Sequence, residues 1–416
     1  MLNPRSPSPA AFWMDTLCIP VYQNAKAYRK KAIQLLGETF RNATAVLILD
    51  RELEIVESAT APFIELVLRI LCSGWVKRLW TLQEATLASE SQGSHKLYFQ
   101  MRDGPFLYQK NGRERKVVRL ALDRTASEIE IDDEERSFLC DEGVLLQLRQ
   151  QIPSIPAIRD IDRKSGFQNI YDAIEHRSTS KYEDVPVCVA SLMDLDLSEI
   201  VSVPDAEHRM ANFYMLMREV PCGVAWVPTA ERLSIHPFRW APKLITSCSM
   251  FDWSSAWEDG ICDTAGLHIK ASGFVFAESE VQRLGLGSTL PLVFNIVSED
   301  SGELLNQLLW PHIIQRQDTT NQIPFQRNLA LIFRPLWRSP GVLAKSKGIP
   351  RRNDVIAVAI EDVIRSGDSS GEPHASELIC RTVGFLSGER WSVDVPETEI
   401  RCHGHTTADD QRWCLT

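Results

Sequence analysis

The 416-residue sequence lacks the features that define several large classes of protein. It has no run of 18 apolar residues, because the nearest candidate, residues 64–80, is interrupted by Arg69, Lys77 and Arg78, so no membrane span is expected. The first 15 residues carry one Arg and an apolar stretch too short for the core of a secretory signal, and no export signal is predicted. No repeat of fixed period occurs.

Common catalytic and nucleotide-binding motifs are also missing. There is no GxxxxGKS/T phosphate loop, no GxSxG nucleophile elbow and no HExxH zinc helix. The GLGS stretch at residues 285–288 is predicted to be a turn between strands. A zinc site built from Cys402, His403, His405 and Cys414 is disfavoured, because an H-x-H pair with one flanking Cys lacks the paired spacing of structural sites. No metal and no bound cofactor are expected.

Ten cysteines are scattered singly, with no CxxC pair, in a chain long enough to bury a core without disulfides. They are predicted to be reduced thiols in a cytoplasmic protein. Because the net charge is -10, a large surface for nucleic acid is not expected. Hydrophobic residues make up 44% and charged residues 24%, which is typical of globular chains, and the length predicts two or three domains.

Up to about residue 100, short apolar runs alternate with helical periodicity, as strands and helices do in α/β layers. Phe12–Asp15 is predicted to be a buried strand that ends on an acid, and Thr44–Asp50 is an apolar run of strand length that also ends on an acid. Helices are predicted over residues 27–40, from about residue 60 to Gly74, and from Lys77 to about residue 89.

The rest of the chain divides by composition into three regions. Residues 101–150 carry opposing blocks of charge and are expected to form a solvated linker or insertion. Residues 151–250 have the periodicity of a mainly helical region. From 251 to 416, short apolar runs recur between turn residues, which predicts an antiparallel, β-rich region.

Three segments of the first 90 residues resemble the fungal heterokaryon-incompatibility (HET) domain. They are WMDTLCI at residues 13–19, VLILD at 46–50 and RLWTLQEA at 78–85, which resemble the W-I-D-x-L-C-I, A-x-x-V-I and R-x-W-T-x-Q-E stretches of that family. Later segments at residues 176–193, 207–226, 238–242 and 389–395 are similar to those that follow the domain in many family members.

The resemblance implies a fold and a biological role. HET domains are associated with non-self recognition between fungal individuals and the cell death that follows, and their fold is thought to be similar to the Toll/interleukin-1 receptor (TIR) domain. It therefore implies an α/β domain over residues 1–100 with a flavodoxin-like parallel sheet carrying helices on both faces, followed by the helical and β-rich regions.

The resemblance also implies a site. Some TIR domains cleave NAD at its nicotinamide glycosidic bond with a glutamate in a helix that contains W-C-x-x-E, and Trp80 and Glu84 have that spacing. Residues four apart share a helical face, and a carboxylate there can stabilise an oxocarbenium-like transition state. Glu84 is thus the candidate catalytic residue, NAD the candidate substrate, and Trp80 a candidate substrate contact.

Three further residues are candidate substrate-binding residues. Asp15 and Asp50 end the predicted strands, and the carboxyl edge of a parallel sheet is where ligand crevices form. Cys18 follows Asp15 in a turn. Each candidate residue also has an open structural alternative. Trp80 packs in a core, and Glu84 pairs with Arg78, caps a helix or faces solvent. The two aspartates are ordinary acids at strand ends, and Cys18 is a small buried residue.

The sequence departs from the family at its beginning. HET domains usually start with an extra strand that ends in an S-Y-x-W-G-like motif, whereas eleven mostly polar or small residues precede Phe12 here. We therefore expect a truncated sheet with an unpaired edge. Two functional hypotheses follow: a HET protein of fungal non-self recognition and cell death that cleaves NAD, or a non-catalytic interaction module or degenerate HET remnant that binds protein partners, further copies of itself included.

Overall fold

The structure is a computed structural model that describes part of the chain. The chain divides into two compact units. The described residues are 11–88, 97–107, 118–120, 126–128, 163–174, 177–226, 231–245, 259–271, 273–276, 292–297, 304–310, 330–333, 355–365, 378–390, 400–402, 404–406 and 411–416. One compact unit comprises residues 1–156 and 187–202, and the other comprises residues 157–186 and 203–416.

The described helices are α1 (Asp15–Cys18), α2 (Lys26–Asn42), α3 (Arg51–Glu54), α4 (Phe63–Cys72), α5 (Gly74–Lys77), α6 (Trp80–Ala88), α7 (Arg163–Ile174), α8 (Val185–Leu192), α9 (Leu197–Val201) and α10 (Ala206–Met217). The described strands are β1 (Val46–Ile48), β2 (Leu97–Met101), β3 (Gly104–Leu107), β4 (Val118–Leu120), β5 (Ala126–Glu128), β6 (Glu219–Pro221), β7 (Asp259–Asp263), β8 (Gly266–Lys270), β9 (Gly273–Phe276), β10 (Leu292–Val297), β11 (Leu304–Trp310), β12 (Ala330–Phe333), β13 (Val355–Arg365), β14 (Leu378–Arg390), β15 (Ile400–Cys402), β16 (Gly404–Thr406) and β17 (Arg412–Leu415).

The sheet of the first unit is mixed. β1 pairs with β2 in parallel, with Ile48 opposite Phe99, and the chain crosses between them through α3 to α6. β3 then returns antiparallel to β2, and β4 and β5 continue the antiparallel order. The predicted combination of helices with a sheet is therefore confirmed for this region, and among its described strands β1 and β2 form the parallel pair. No described strand pairs with the second edge of β1.

One face of this sheet forms a core with the crossover helices. Alternation along a strand sends Ile48 to this face, where it is 2% exposed, while Leu47 and Leu49 on the other face are 49% and 53% exposed. The core cluster joins strand residues to α4, α5 and α6; its members include Ile48, Leu66, Val67, Ile70, Trp75, Ala85, Leu97, Phe99, Met101 and Phe106. α6 is buried nearly all round, as expected of a helix enclosed by other elements.

Several local predictions for this unit are confirmed and one is wrong. The helices predicted over 27–40 and from about residue 60 exist as α2 and α4, and the Thr44–Asp50 run contains β1. The predicted buried strand Phe12–Asp15 does not form: these residues are exposed, and Asp15 begins α1. A strand needs a neighbour for its backbone groups, and no described strand lies beside this run.

Two predicted boundaries also differ from the observed ones. Gly74 begins α5 instead of ending α4, which ends at Cys72 with Ser73 as its C-cap, and α6 begins at Trp80 rather than Lys77. The sheet continues past residue 100, since β3 forms a hairpin with β2.

The second unit joins helices to a large, mainly antiparallel sheet. Its described strands run in the order β16-β9-β12-β13-β14-β17-β8-β7-β6, and β10, β11 and β15 attach through the β11–β14 pair. Within the described residues, helices lie between residues 163 and 217, and strands recur beyond residue 251. Phe167, Phe213, Tyr214 and Trp240 pack in succession, with ring centroids 5.2–6.4 Å apart, and anchor this unit. Within the described ranges, no helix combines the length and apolar character needed to cross a bilayer.

The turn between β2 and β3 is tied to the loop after α3 by one carboxylate. Asp103 accepts hydrogen bonds from the Ser58 N–H at 2.8 Å, the Ser58 hydroxyl at 3.0 Å and the Ala59 N–H at 2.8 Å. Partial burial by itself would raise the Asp103 pKa, but these bonds outweigh it and hold the pKa below its ordinary value of 3.8.

We predict that Asp103→Asn destabilises the protein by about 1–3 kcal/mol at pH 7, because the amide cannot accept all three bonds. A lowered folded-state pKa gives stability that is complete above the unfolded pKa and is lost as pH falls through the folded pKa. Urea unfolding should therefore show the two proteins converging below about pH 3.8. Glu54→Gln, at an exposed site, is the control; a constant difference from pH 7 to pH 3 would contradict this role.

Candidate functional site

The predicted acids Asp50 and Glu84 meet at one residue, Trp75, which is 2% exposed. The backbone N–H of Trp75 donates to Asp50 Oδ2 at 2.8 Å, and its indole Nε1–H donates to Glu84 Oε2 at 3.0 Å. The indole also packs edge-on against Phe99 of β2, with ring centroids 5.6 Å apart and an interplanar angle of 87°. One buried residue, through its backbone and its side chain, thus joins both carboxylates to the core.

Asp50 is positioned as a helix cap. β1 ends at Ile48, and Asp50 is the N-cap of α3, where its Oδ1 accepts from the Glu52 N–H at 3.0 Å. With Oδ2 on Trp75, each carboxylate oxygen accepts a backbone N–H. This arrangement favours the structural alternative for Asp50 over a ligand contact.

The α4–α5 junction sets the direction of Trp75. Ser73 ends α4 and caps α5: its hydroxyl donates to the Ile70 carbonyl at 2.7 Å and accepts from the Val76 N–H at 3.3 Å. Ser73 is buried, so these bonds satisfy groups that water does not reach. The chain therefore turns sharply into α5 and carries the Trp75 side chain into the core.

Each polar residue of the WTLQEA part of α6 bonds to another element. The Thr81 hydroxyl donates to the carbonyls of Trp75 and Arg78, the latter at 2.7 Å. The Gln83 amide donates to the hydroxyl of Ser191, a residue of α8. Together with Glu84 on the Trp75 indole, these bonds fix α6 at three points.

The contact of Gln83 with Ser191 connects two of the segments on which the predicted HET resemblance rests. Nearby, the Cys188 thiol lies 3.7 Å from the Leu79 carbonyl oxygen. Gly37 of α2 also approaches Ser191 closely, because a Cβ at Gly37 would lie 3.3 Å from Ser191 Oγ. RLWTLQEA and residues 188–191 of α8 are therefore packed together within the first unit.

The remaining predicted residues lie apart from Trp75 or contribute differently. Asp15 and Cys18 are exposed on α1, where Asp15 Oδ1 accepts from the Thr16 N–H at 2.7 Å. Cys18 is thus not the buried residue of the structural alternative. Trp80 is half-buried at the start of α6, four residues before Glu84. Glu84 is itself half-buried.

A polar cavity of about 450 Å³ lies between α2 and residues 191–198. Its lining includes Glu38, Arg41, Ser191, Asp194 and Asp196, and Arg41 forms an ion pair with Asp194 at 3.3 Å. None of the predicted site residues lines it. The cavity is therefore separate from the carboxylates that the sequence singled out.

A thiol, an imidazole and a carboxylate come together in the second unit. His268 Nε2 lies 3.1 Å from Asp263 Oδ1 and 3.8 Å from Cys414 Sγ. Because both groups meet the same ring nitrogen, the imidazole cannot pass a proton from thiol to carboxylate as in a catalytic triad. The pKa of the neighbouring Cys262 thiol is raised to about 12, mainly by burial and to a smaller extent by the Asp263 charge and by Cys414. That thiol therefore stays protonated at neutral pH.

Among the residues described, no three His, Cys, Asp or Glu side chains cluster in a way that would hold a metal ion. Of the disfavoured zinc set, His403 lies outside the described residues, and Cys414 is buried beside His268.

No family model matches the chain, and neither does a curated protein or a solved structure. The HET resemblance accordingly remains a prediction from the sequence.

Sequence reasoning missed Trp75 and Ser191. A local signal for Trp75 exists, since the Ser73-Gly74 pair before it is typical of a helix end followed by a new cap. Ser191 offers no such signal, because it meets Gln83 across 108 positions of the chain.

We predict a favourable coupling between Trp75 and Glu84 in a double-mutant cycle. Trp75→Phe keeps an aromatic ring against Phe99 but removes the indole donor, and Glu84→Ala removes the acceptor. Because the bond involves a charged acceptor and a buried donor, urea unfolding should give about 1–2 kcal/mol of coupling. Glu65→Ala, which breaks an exposed ion pair with Arg69, should cost about 0.5 kcal/mol or less; a coupling near zero would remove the structural role of the bond.

Proposed function

We propose that this chain is a HET-like protein of fungal non-self recognition whose first unit is a protein-interaction module that signals cell death without catalysis. The observation that carries the non-catalytic assignment is the double engagement of Trp75, whose backbone and indole N–H groups bond Asp50 and Glu84. The two acids that the sequence assigned to substrate chemistry therefore connect the end of β1, α5 and α6 through hydrogen bonds.

The structural use of the whole motif supports this proposal. Thr81, Gln83 and Glu84 each have a partner on another element, Thr81 through the Trp75 carbonyl, so the R-x-W-T-x-Q-E pattern has a physical reason that does not require a substrate. A fixed α6 would give such a module a rigid interior. A flavodoxin-like, TIR-like parent fold is part of the proposal, supported by the parallel β1–β2 pair and its helical crossover.

NAD cleavage by Glu84 is the second candidate function. It is favoured by the half-buried position of Glu84 against a buried indole, because partial desolvation and a low local dielectric strengthen the interaction of a carboxylate with a developing oxocarbenium ion. The hydrogen bond from the Trp75 indole argues against NAD cleavage by Glu84, because a carboxylate that already accepts a hydrogen bond is a weaker nucleophile and base.

Glu84→Gln separates the two functions, because glutamine keeps an acceptor for the Trp75 indole but removes the negative charge. When the chain is expressed in a fungal host and cell death is scored, the interaction module predicts near wild-type death for Glu84→Gln and reduced death for Glu84→Ala. A catalytic glutamate predicts that both substitutions abolish death.

A chemical assay gives the complementary test. Purified protein incubated with NAD should release no nicotinamide above a buffer control if the proposal is right. Release that falls at least a hundredfold in both Glu84→Gln and Glu84→Ala, with Glu65→Ala unchanged, would establish the glycohydrolase instead. Immunoblots of each variant control for protein level.

A further inference from the structure

The segment of residues 12–28, here called the apolar segment, exposes many large apolar side chains. Leu17, Val21, Tyr22 and Tyr28 are 70%, 72%, 74% and 74% exposed, and Phe12 is 75% exposed. Exposed apolar residues are ordinary when they are scattered singly, but several of them in one short stretch mark an interaction surface.

The backbone of the apolar segment is nevertheless held on α2 at two points. Trp13 packs edge-on against Phe40, with ring centroids 5.5 Å apart and an interplanar angle of 80°. Arg29 Nε donates to the Pro20 carbonyl at 2.8 Å, and its Nη2 donates to the Val21 carbonyl. Since the loop is tied down before any partner arrives, little conformational entropy remains to be lost on docking.

The charge around the apolar segment is opposite to that of the whole chain. Residues 11–31 contain Lys26, Arg29, Lys30 and Lys31 against the single acid Asp15, which is four positive charges minus one, or +3, in a chain of net charge -10. Lys26, Lys30 and Lys31 form no ion pair within the described part of the chain. The first turn of α2 has no acidic residue, so these cations meet the positive end of the helix dipole unfavourably.

We propose that the apolar segment docks on the surface of a membrane that contains anionic lipid. Aliphatic and aromatic side chains would enter the interfacial region, while Lys26 and Lys31, both exposed, would meet lipid phosphates and carboxylates. Stable membrane attachment takes two signals, and this segment supplies an apolar one and a basic one. The anionic lipid surface would also offset the unfavourable interaction between these lysines and the positive end of the α2 dipole. The inference does not depend on whether Glu84 is catalytic.

The test is co-sedimentation of the full chain with vesicles. We expect binding to vesicles of phosphatidylcholine and phosphatidylserine in equal parts, weaker binding to phosphatidylcholine alone, and a loss of affinity as salt is raised. Lys26→Gln with Lys31→Gln should weaken binding about 30-fold, because each lysine near an anionic surface contributes roughly a factor of five. Val21→Ser with Tyr22→Ser should weaken it about tenfold or more.

Matched controls lie in the second unit. Lys181→Gln with Lys270→Gln makes the same change of net charge at exposed positions, and Tyr182→Ser removes an exposed tyrosine. These controls should bind vesicles like the wild type. Thermal unfolding should be nearly the same for all variants, since the substituted side chains are exposed.

Three results would overturn the proposal. The first is that the wild type sediments with neither kind of vesicle. The second is that the wild type and both segment variants sediment equally. The third is that light scattering shows a stable dimer, which Val21→Ser with Tyr22→Ser dissociates. The last result would show that a second copy covers the apolar segment.

Discussion

The organisation of the first unit depends on satisfying the two N–H groups of Trp75 inside the core. A buried donor without a partner costs about 1–3 kcal/mol, and here each donor meets a carboxylate, one from the loop after β1 and one from α6. The same indole packs on Phe99 of β2. The loop after β1, α5, α6 and the sheet are therefore held to one another through a single residue.

This arrangement changes how the motif of α6 is understood. Polar residues that look available for chemistry in the sequence form structural hydrogen bonds instead. Thr81 bonds the backbone carbonyl of Arg78, Gln83 bonds Ser191 and Glu84 bonds Trp75. Because α6 is enclosed, unsatisfied polar groups there would be costly, so their partners are needed for folding whatever the function. Glu84 differs from Thr81 and Gln83 in being half-buried rather than buried.

The exposed features of the first unit lie on other surfaces. Leu47 on β1 and Leu49 just after it are exposed, and the apolar segment is held on α2 by Trp13 and Arg29. The acidic character of the chain as a whole does not extend to residues 11–31. A rigid interior and a locally basic, apolar exterior are what a module that acts by docking requires.

Sequence periodicity by itself determined the elements whose formation is local. α2 and α4 follow from apolar residues at helical spacing, and β1 and the C-terminal strands follow from short apolar runs between turn residues. The Trp80 and Glu84 spacing correctly placed both residues on one helix, α6. Phe12–Asp15 failed as a strand, because strand formation needs a partner that a local pattern does not reveal.

Tertiary structure alone decided the partners of the candidate residues. The chain turns between α5 and α6, so the tryptophan that bonds Glu84 is Trp75, nine positions before it, rather than Trp80. Asp50 became a cap because α3 begins directly after it and Trp75 is brought back beside it from 25 residues away. Such pairings arise where separate elements meet, and the geometry of that meeting is set by burial of the whole core and not by spacing along the chain.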